Sequence, residues 1–262
     1  TIYDTFLKEY YNLSFKKSKK INFEDAVALL YIKQYLFGIK RYNKIKHLVI
    51  DEFQDYSPLN YYIVNQMFQC VKTILGDVGQ SVAGYETTIL DDFNKLDTIK
   101  SQMVLLNKSY RSTYEITTFA NGIIGRTNVQ IVDRHGKPIE WIKYANNQDK
   151  LQKIQEFVTS AKADGHKTIG ILCKSMKQAE DLHNELKDTV KYHYLNIDTL
   201  DYKDGVILAP TFLVKGLEFD AVMVVDADKE NFNTAIDRQA FYVASTRAMH
   251  RLDMLYSTKK TV

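Results

Sequence analysis

The chain has 262 residues, of which 45% are hydrophobic and 26% are charged, and its formal net charge is +3. These values are ordinary for a globular protein and exclude a disordered or collagen-like chain. The small net charge does not require a polyanionic partner, although it permits one if the basic residues share a face. No apolar run approaches the roughly 18 residues of a membrane span, and no signal-peptide pattern opens the chain.

The predicted elements alternate between strands and helices along the chain. In chain order they are a helix at 22–37 with Asn22 as its cap, strand 48–50, helix 58–68, strand 71–75, strand 103–106, helix 113–124, strand 139–144, helix 148–163, strand 168–173, helix 176–187, strands 205–209 and 220–225, helix 234–246 and strand 251–256. This alternation predicts an α/β fold with parallel sheets flanked by helices.

The cysteine content indicates a reducing compartment. Cys70 and Cys173 are too few and too far apart in sequence for a disulfide scaffold or a cysteine-built zinc site. We therefore predict a cytoplasmic protein. The first residue is Thr1 rather than methionine, so the chain is expected to be a piece of a longer polypeptide.

Two predicted strands end in polar side chains that suit nucleotide chemistry. Asp51 and Glu52 follow the apolar run Leu48–Ile50, and Gly76-Asp77-Val78-Gly79-Gln80-Ser81 follows the next strand. Open α/β sheets place ligands at the carboxyl ends of their strands. One carboxylate could hold Mg²⁺ while another group orients an attacking water. A solvated acidic turn and a common Gly-Asp turn are the alternative interpretations.

Two arginine-containing segments and a glycine loop lie downstream. Arg111 stands in Ser109-Tyr110-Arg111-Ser112, and Arg247 stands in Tyr242-Val243-Ala244-Ser245-Thr246-Arg247-Ala248. Arginine suits the charge that develops on a transferred phosphoryl group, although a lone arginine more often forms a surface ion pair. Thr211 and Lys215-Gly216-Leu217-Glu218-Phe219-Asp220 precede a buried strand, and Gly216 permits a tight loop close to phosphate.

In this order and at these spacings, the segments resemble the motifs of superfamily I helicases of the UvrD/Rep/PcrA type. DEFQD resembles motif II of that family, GDVGQS motif III, SYRS motif IV, KGLEFD motif V and YVASTRA motif VI. The resemblance spans residues 50–248. It implies residues 1–100 as the C-terminal part of a first RecA-like domain and 101–262 as a second, with ATP bound in the cleft between them.

The resemblance also implies a role for each matching residue. Asp51 corresponds to the Mg²⁺ ligand and Glu52 to the catalytic base, while Gln80 corresponds to the γ-phosphate sensor. Arg111 and Arg247 correspond to paired arginine fingers. The remaining implied contacts are Tyr110 with adenine, Glu218 with ribose, and Tyr85 and Thr211 with single-stranded nucleic acid.

Several departures from the family pattern change the expected function. The phosphate-binding loop G-x-x-x-x-G-K-[ST] is absent from these residues, so this chain alone is not expected to hydrolyse ATP. Ala83, Tyr85 and Glu86 replace the aromatic and basic residues that usually follow motif III, and Phe212 replaces a histidine of motif V. Nucleic-acid contact is therefore less secure than nucleotide contact.

The short spacing between Arg111 and Thr211 leaves no room for the large helical insert of UvrD itself. In this respect the chain resembles the HelD or helicase IV branch of the family. The expected function is an ATP-dependent DNA helicase or translocase that moves on single-stranded DNA. A HelD-like factor that remodels RNA polymerase with little unwinding is the alternative. A nucleotide-free scaffold is a third alternative, which the presence of both acids and both arginines disfavours.

Overall fold

A computed structural model describes residues 2–11, 21–77, 80, 102–186, 189–199 and 204–261. The chain divides into two compact units. Unit 1 comprises Thr1–Val78 and Tyr85–Gln102, and unit 2 comprises Gly79–Gly84 and Met103–Val262.

Unit 1 contains three described helices and a short parallel sheet. The helices are α1 (Ile2–Tyr11), α2 (Phe23–Phe37) and α3 (Pro58–Met67), and the strands are β1 (His47–Ile50) and β2 (Val71–Ile74). β1 and β2 pair in parallel, with His47 opposite Val71 and Ile50 opposite Ile74. Helix α3 begins where Ser57 Oγ accepts a hydrogen bond from the Asn60 N–H and Pro58 occupies the first turn.

Unit 2 is built on a six-stranded sheet in which every strand pairing is parallel. The sheet contains β5 (Glu140–Lys143), β6 (Ile169–Cys173), β7 (His193–Tyr194), β8 (Val206–Pro210), β9 (Phe219–Val224) and β10 (Ala248–Tyr256). The spatial order of its strands is β5-β10-β9-β6-β8-β7. A separate parallel pair joins β3 (Lys108–Ser109) to β4 (Gln130–Ile131).

Four helices flank this sheet: α4 (Tyr114–Ile123), α5 (Asn147–Ala163), α6 (Met176–Leu186) and α7 (Ala235–Thr246). One buried cluster packs α4 and α7 against the sheet, and a second cluster packs α5 and α6 against it. Helix α7 starts with a capping box, in which Thr234 and Asp237 exchange hydrogen bonds. The predicted α/β class with parallel sheets flanked by helices is confirmed.

One predicted strand is wrong. Residues 103–106 form no strand, and their apolar side chains are exposed. The strand in this region is the shorter β3, Lys108–Ser109. β-branched and apolar residues favour a strand only where a neighbouring strand supplies hydrogen bonds and cover. Helix α1 and the two-residue strands β4 and β7 were not predicted from the sequence.

Candidate nucleotide and nucleic-acid site

The carboxyl end of β1 holds the paired acids in a tight turn. Glu52 adopts a left-handed backbone conformation, with φ of 50°, which is unusual for a residue other than glycine. Its N–H donates to Asp51 Oδ1 at 2.8 Å. The turn separates the directions of the two side chains, so that Asp51 is exposed and Glu52 is half-buried.

Gln54 connects this turn to the end of the neighbouring strand. Its side-chain N–H donates to Glu52 Oε2 at 2.5 Å, and its side-chain oxygen accepts the Asp77 N–H at 3.0 Å. Gln54 is buried, so both contacts are shielded from solvent. A buried amide that bridges two strand ends orients Glu52. Gln54 lies within DEFQD, but the sequence analysis did not predict that it orients Glu52.

Gly76 makes the close approach of these two strand ends possible. A Cβ at Gly76 would lie 2.7 Å from Gln54 Oε1 and 3.3 Å from the Phe53 backbone N. The Phe53 N–H also donates to the Leu75 carbonyl at 3.0 Å. The glycine of the Gly-Asp segment therefore serves packing of the turn that holds Glu52.

The Asp51 carboxylate at the end of β1 could supply one ligand of a magnesium ion. Mg²⁺ usually takes one or two carboxylates and completes its shell with water and substrate phosphates. Asp51 offers an exposed carboxylate, which suits this mode of binding. Among the residues that the structure describes, no group of three or more His, Cys, Asp or Glu side chains could hold a metal.

In unit 2, Arg111 forms an ion pair with Glu218. Arg111 Nε lies 2.8 Å from Glu218 Oε1, and the two side chains are 47% and 39% exposed. The sequence predicted both residues for the nucleotide site, and the structure brings them together. The neighbouring Tyr110 ring is exposed, with Lys108 Nζ 5.2 Å from its centroid. A planar exposed ring of this kind can stack on a base.

The backbone of Arg111 is tied to the start of β10. The Ser112 hydroxyl donates to the Ala248 carbonyl at 2.6 Å, and Arg134 Nη2 donates to the Met249 carbonyl at 3.1 Å. Arg134 Nη2 also donates to the Arg111 carbonyl. These bonds hold the Arg111 loop beside the strand that follows Arg247. Sequence reasoning missed Arg134, because its partners lie far away along the chain.

Arg247 is almost completely buried, with 1% of its surface exposed. Its guanidinium donates to the Val243 carbonyl at 3.2 Å, to the Leu217 carbonyl at 3.3 Å and to Gln80 Oε1 at 2.7 Å. Lys215 Nζ donates to the Gln80 carbonyl at 3.0 Å. Gln80, which is grouped with unit 2, therefore contacts both a buried arginine and a lysine.

Three other predicted site residues have different surroundings. Thr211 is buried, and its hydroxyl donates to the Cys173 carbonyl at 3.1 Å, so in this conformation the hydroxyl does not face solvent. Gly216 has φ of 81°, which requires glycine-like freedom in the loop before Glu218. Tyr85 lies outside the described residues, as do Ala83 and Glu86.

Asp220 is the last residue of KGLEFD. Its carboxylate binds backbone N–H groups at the start of β6. Its Oδ2 accepts the Lys167 N–H at 2.7 Å and the Thr168 N–H at 2.9 Å. Burial alone would raise the pKa of Asp220, but these hydrogen bonds outweigh it and lower the pKa below the ordinary value. Asp220 thereby links the starts of β6 and β9.

The two cysteines form no disulfide bond with each other. Both are free thiols, and burial raises the pKa of Cys173 to about 12. A buried, protonated thiol behaves as a small apolar side chain. No described helix is long and apolar enough to cross a membrane.

Comparison with known proteins finds similarity to ATP-dependent DNA helicases. It is 25% identical over 189 residues to the ATP-dependent DNA helicase Rep of Buchnera aphidicola, covering 66% of this chain and 28% of that protein. It is 25% identical over 194 residues to the ATP-dependent DNA helicase PcrA of Leuconostoc citreum, covering 67% of this chain and 26% of that protein. The chain thus spans about a quarter of the length of these relatives.

A solved structure also matches. The C-terminal domain of a possible DNA helicase from Lactobacillus plantarum is 32% identical, with a TM-score of 0.49, over 58% of this chain and 90% of that one. No family model matches the chain. From the sequence relatives, the homologues of this chain are UvrD/Rep/PcrA-type ATP-dependent DNA helicases at low identity.

Proposed function

We propose that this chain is part of an ATP-dependent DNA helicase or translocase that couples ATP hydrolysis to movement on single-stranded DNA. The observation that carries the proposal is the 2.7 Å contact between Arg247 Nη2 and Gln80 Oε1. Two segments separated by more than 160 residues, each singled out for phosphate chemistry, meet through their polar side chains. The relatives, which are ATP-dependent DNA helicases, support the same activity.

In this proposal the groups of unit 1 act on the attacking water and the metal. Asp51 would hold Mg²⁺, which neutralises phosphate charge when bound. Glu52 would accept the proton of the attacking water, with its carboxylate oriented by Gln54. A left-handed residue is costly to maintain, and such residues recur at functional sites.

The groups of unit 2 would serve the nucleotide and its developing charge. Arg247 is held rigidly by backbone carbonyls, so its guanidinium needs little reorganisation to stabilise a transferred phosphoryl group. Arg111 would exchange its Glu218 partner for phosphate, which would release Glu218 to accept a ribose hydroxyl. Tyr110 would stack on adenine, and Gly216 would allow the loop to approach phosphate.

Hydrolysis is expected only in a polypeptide that also supplies the phosphate-binding loop, which this sequence lacks.

The test is single-stranded-DNA-stimulated ATP hydrolysis by the complete polypeptide that contains this chain. Glu52→Gln should lower kcat by about 10²- to 10⁴-fold while ATP still binds, because only proton acceptance is lost. Glu24→Gln is the matched control, since Glu24 is an exposed acid of α2. Undiminished hydrolysis by Glu52→Gln would remove that residue from its role.

The same assay separates the helicase from the HelD-like alternative. ATP hydrolysis that is indifferent to single-stranded DNA, together with co-purification of RNA polymerase, would favour the polymerase-remodelling factor. If the complete wild-type protein neither bound nor hydrolysed ATP, both the helicase and the HelD-like hypotheses would be excluded. The nucleotide-free scaffold would then be the remaining alternative.

A further inference from the structure

In unit 1, the segments that contain β1 and β2 carry basic residues and no acids. Residues 26–50 contain five lysines or arginines and no aspartate or glutamate. Residues 56–76, which include α3 and β2, also contain no acid and add Lys72. The whole chain has a net charge of only +3, so positive charge is concentrated here.

The loop that carries most of these cations is anchored and open to solvent. The Tyr42 N–H donates to the Met67 carbonyl at 2.9 Å, and the Ile45 N–H donates to the Tyr42 carbonyl at 3.1 Å. These bonds dock the loop on the end of α3. Every residue from 40 to 46 is nevertheless exposed. The side chains of Lys40, Arg41, Lys44 and Lys46 therefore project from a fixed backbone into water.

An aromatic pair lies among these cations. The Tyr42 and Phe68 rings stack with their centroids 5.0 Å apart and an interplanar angle of 11°. Tyr42 remains 38% exposed, and Lys40 Nζ lies 5.3 Å from its ring centroid. A base that stacked on the outer face of Tyr42 would displace the Lys40 ammonium towards the adjoining phosphate. Cations beside a stacking ring are the combination that sequence-independent single-strand binders use.

We propose that this basic-aromatic surface, which comprises Lys40, Arg41, Tyr42, Lys44, Lys46 and Phe68, binds single-stranded nucleic acid through phosphates and one stacked base. It is separate from the candidate nucleotide residues, because it precedes β1 whereas Asp51 and Glu52 follow it. A strand of four residues spans about 13 Å. The inference deepens the proposed function by adding a second contact with the nucleic acid.

An acidic peptide is the competing partner for a basic surface. It would use the same cations but would gain nothing from the exposed face of Tyr42. The stacked Tyr42–Phe68 pair favours a ligand with flat rings, which nucleic acid supplies and a polyglutamate chain does not. The two partners can therefore be distinguished by changing the ring and the charges separately.

The experiment measures binding of fluorescein-labelled dT20 to the 262-residue chain by anisotropy at several salt concentrations. The test variant carries Lys40→Gln, Arg41→Gln, Lys44→Gln and Lys46→Gln together. The matched control removes four exposed cations of unit 2: Lys143→Gln, Lys162→Gln, Lys167→Gln and Lys177→Gln. Circular dichroism of every variant verifies that it is folded.

The four changes on the surface should weaken binding by about tenfold or more and reduce the slope of log K against log salt by about 3, since each phosphate contact contributes about 0.7. Tyr42→Leu should weaken binding about 5- to 100-fold with an unchanged salt slope, because stacking is lost but charge is kept. The unit 2 control should bind like the wild type.

Two outcomes would overturn the inference. If the unit 2 control weakened binding as much as the test variant, the contact would lie elsewhere. If Tyr42→Leu bound dT20 normally and polyglutamate of equal charge competed fully, the surface would be one for acidic proteins. ATP hydrolysis by the complete polypeptide is measured separately, so loss of this surface and failure of the proposed motor activity remain distinguishable.

Discussion

The two units differ in how their parallel strands are covered. In unit 2 the strands β6, β8 and β9 are buried along almost their whole length, between two clusters of apolar side chains. In unit 1 the two strands alternate between covered and exposed residues, and the buried cluster is small. Parallel pairing alone is weakly stabilising, so the cover of the sheet determines how independent each unit is.

The two units also differ in how they hold their candidate functional groups in place. Unit 1 holds Glu52 by a strained turn and one buried amide, Gln54. Unit 2 holds Arg247 by several backbone carbonyls within a well-packed body. We infer that unit 2 keeps its site geometry through its own core, whereas unit 1 relies on local contacts. Four predictions test this contrast, in order of decreasing effect.

The largest effect on stability is expected at Phe219, which begins β9 and is completely buried against Gly170. Phe219→Ala should lower the free energy of unfolding of unit 2 by about 3–5 kcal/mol. Trp141, the single tryptophan, lies in unit 2, so its fluorescence in a urea titration reports that unit. Phe212→Ala, at an exposed position, should cost less than about 1 kcal/mol. Equal losses would show that unit 2 has no dominant core.

The second prediction concerns the different effects that replacing Arg247 or Arg111 should have on the stability of unit 2. Arg247→Ala should destabilise unit 2 by on the order of 3 kcal/mol, because it truncates a side chain that is 1% exposed and removes its hydrogen bonds to the Val243 and Leu217 carbonyls. Arg111→Ala should change stability little, since its ion pair is half-exposed. In the complete polypeptide both should reduce ATP turnover. If Arg111→Ala unfolded the unit, its role would be structural.

A smaller effect is expected at the turn of unit 1. Gly76→Ala places a methyl group 2.7 Å from Gln54 Oε1 and should weaken the turn by about 1–3 kcal/mol. Amide hydrogen exchange at Phe53 and Asp77 should accelerate accordingly. The matched change Gly122→Ala lies in α4, where nothing lies within 4 Å of the new Cβ. It should stabilise the helix by about 0.5–1 kcal/mol. Unchanged exchange in Gly76→Ala would contradict the proposed packing.

The smallest effect is a pH dependence in unit 2. His135 Nδ1 lies 2.7 Å from Glu115 Oε1, and this contact raises the pKa of His135 and lowers that of Glu115 to about 2. The histidine contribution is complete below its ordinary pKa of 6.5 and is lost as the pH rises through the raised value. The glutamate contribution is complete above its ordinary pKa of 4.5 and is lost as the pH falls towards 2.

His135→Gln should therefore lower the melting temperature most between about pH 4.5 and 6.5, where both partners are charged. Well above the raised pKa of His135 the difference should largely disappear. Glu115→Gln should show its largest loss in the same interval, and thermal scans across pH verify both. A difference that did not vary with pH would exclude this ion pair as the cause.

Much of unit 2 could be predicted from local sequence patterns. Sequence patterns predict strands at 168–173 and 220–225 and a helix at 234–246, and the structure has β6, β9 and α7 at these places. Residues 103–106 have the same apolar character, yet they form no strand. Pattern alone cannot show whether a neighbouring strand is present to pair with such a run.

The amino-acid sequence determined which chemical groups are available: paired acids after an apolar run, an arginine in each of two segments, a glycine two residues before Glu218 and no phosphate-binding loop. The tertiary structure alone decided that Arg247 is 1% exposed whereas Arg111 is 47% exposed and paired with Glu218. It also decided that Gln54 and Arg134 position other residues. The reason is physical: burial and hydrogen-bond partners depend on which distant segments lie side by side, and a local pattern does not contain that information.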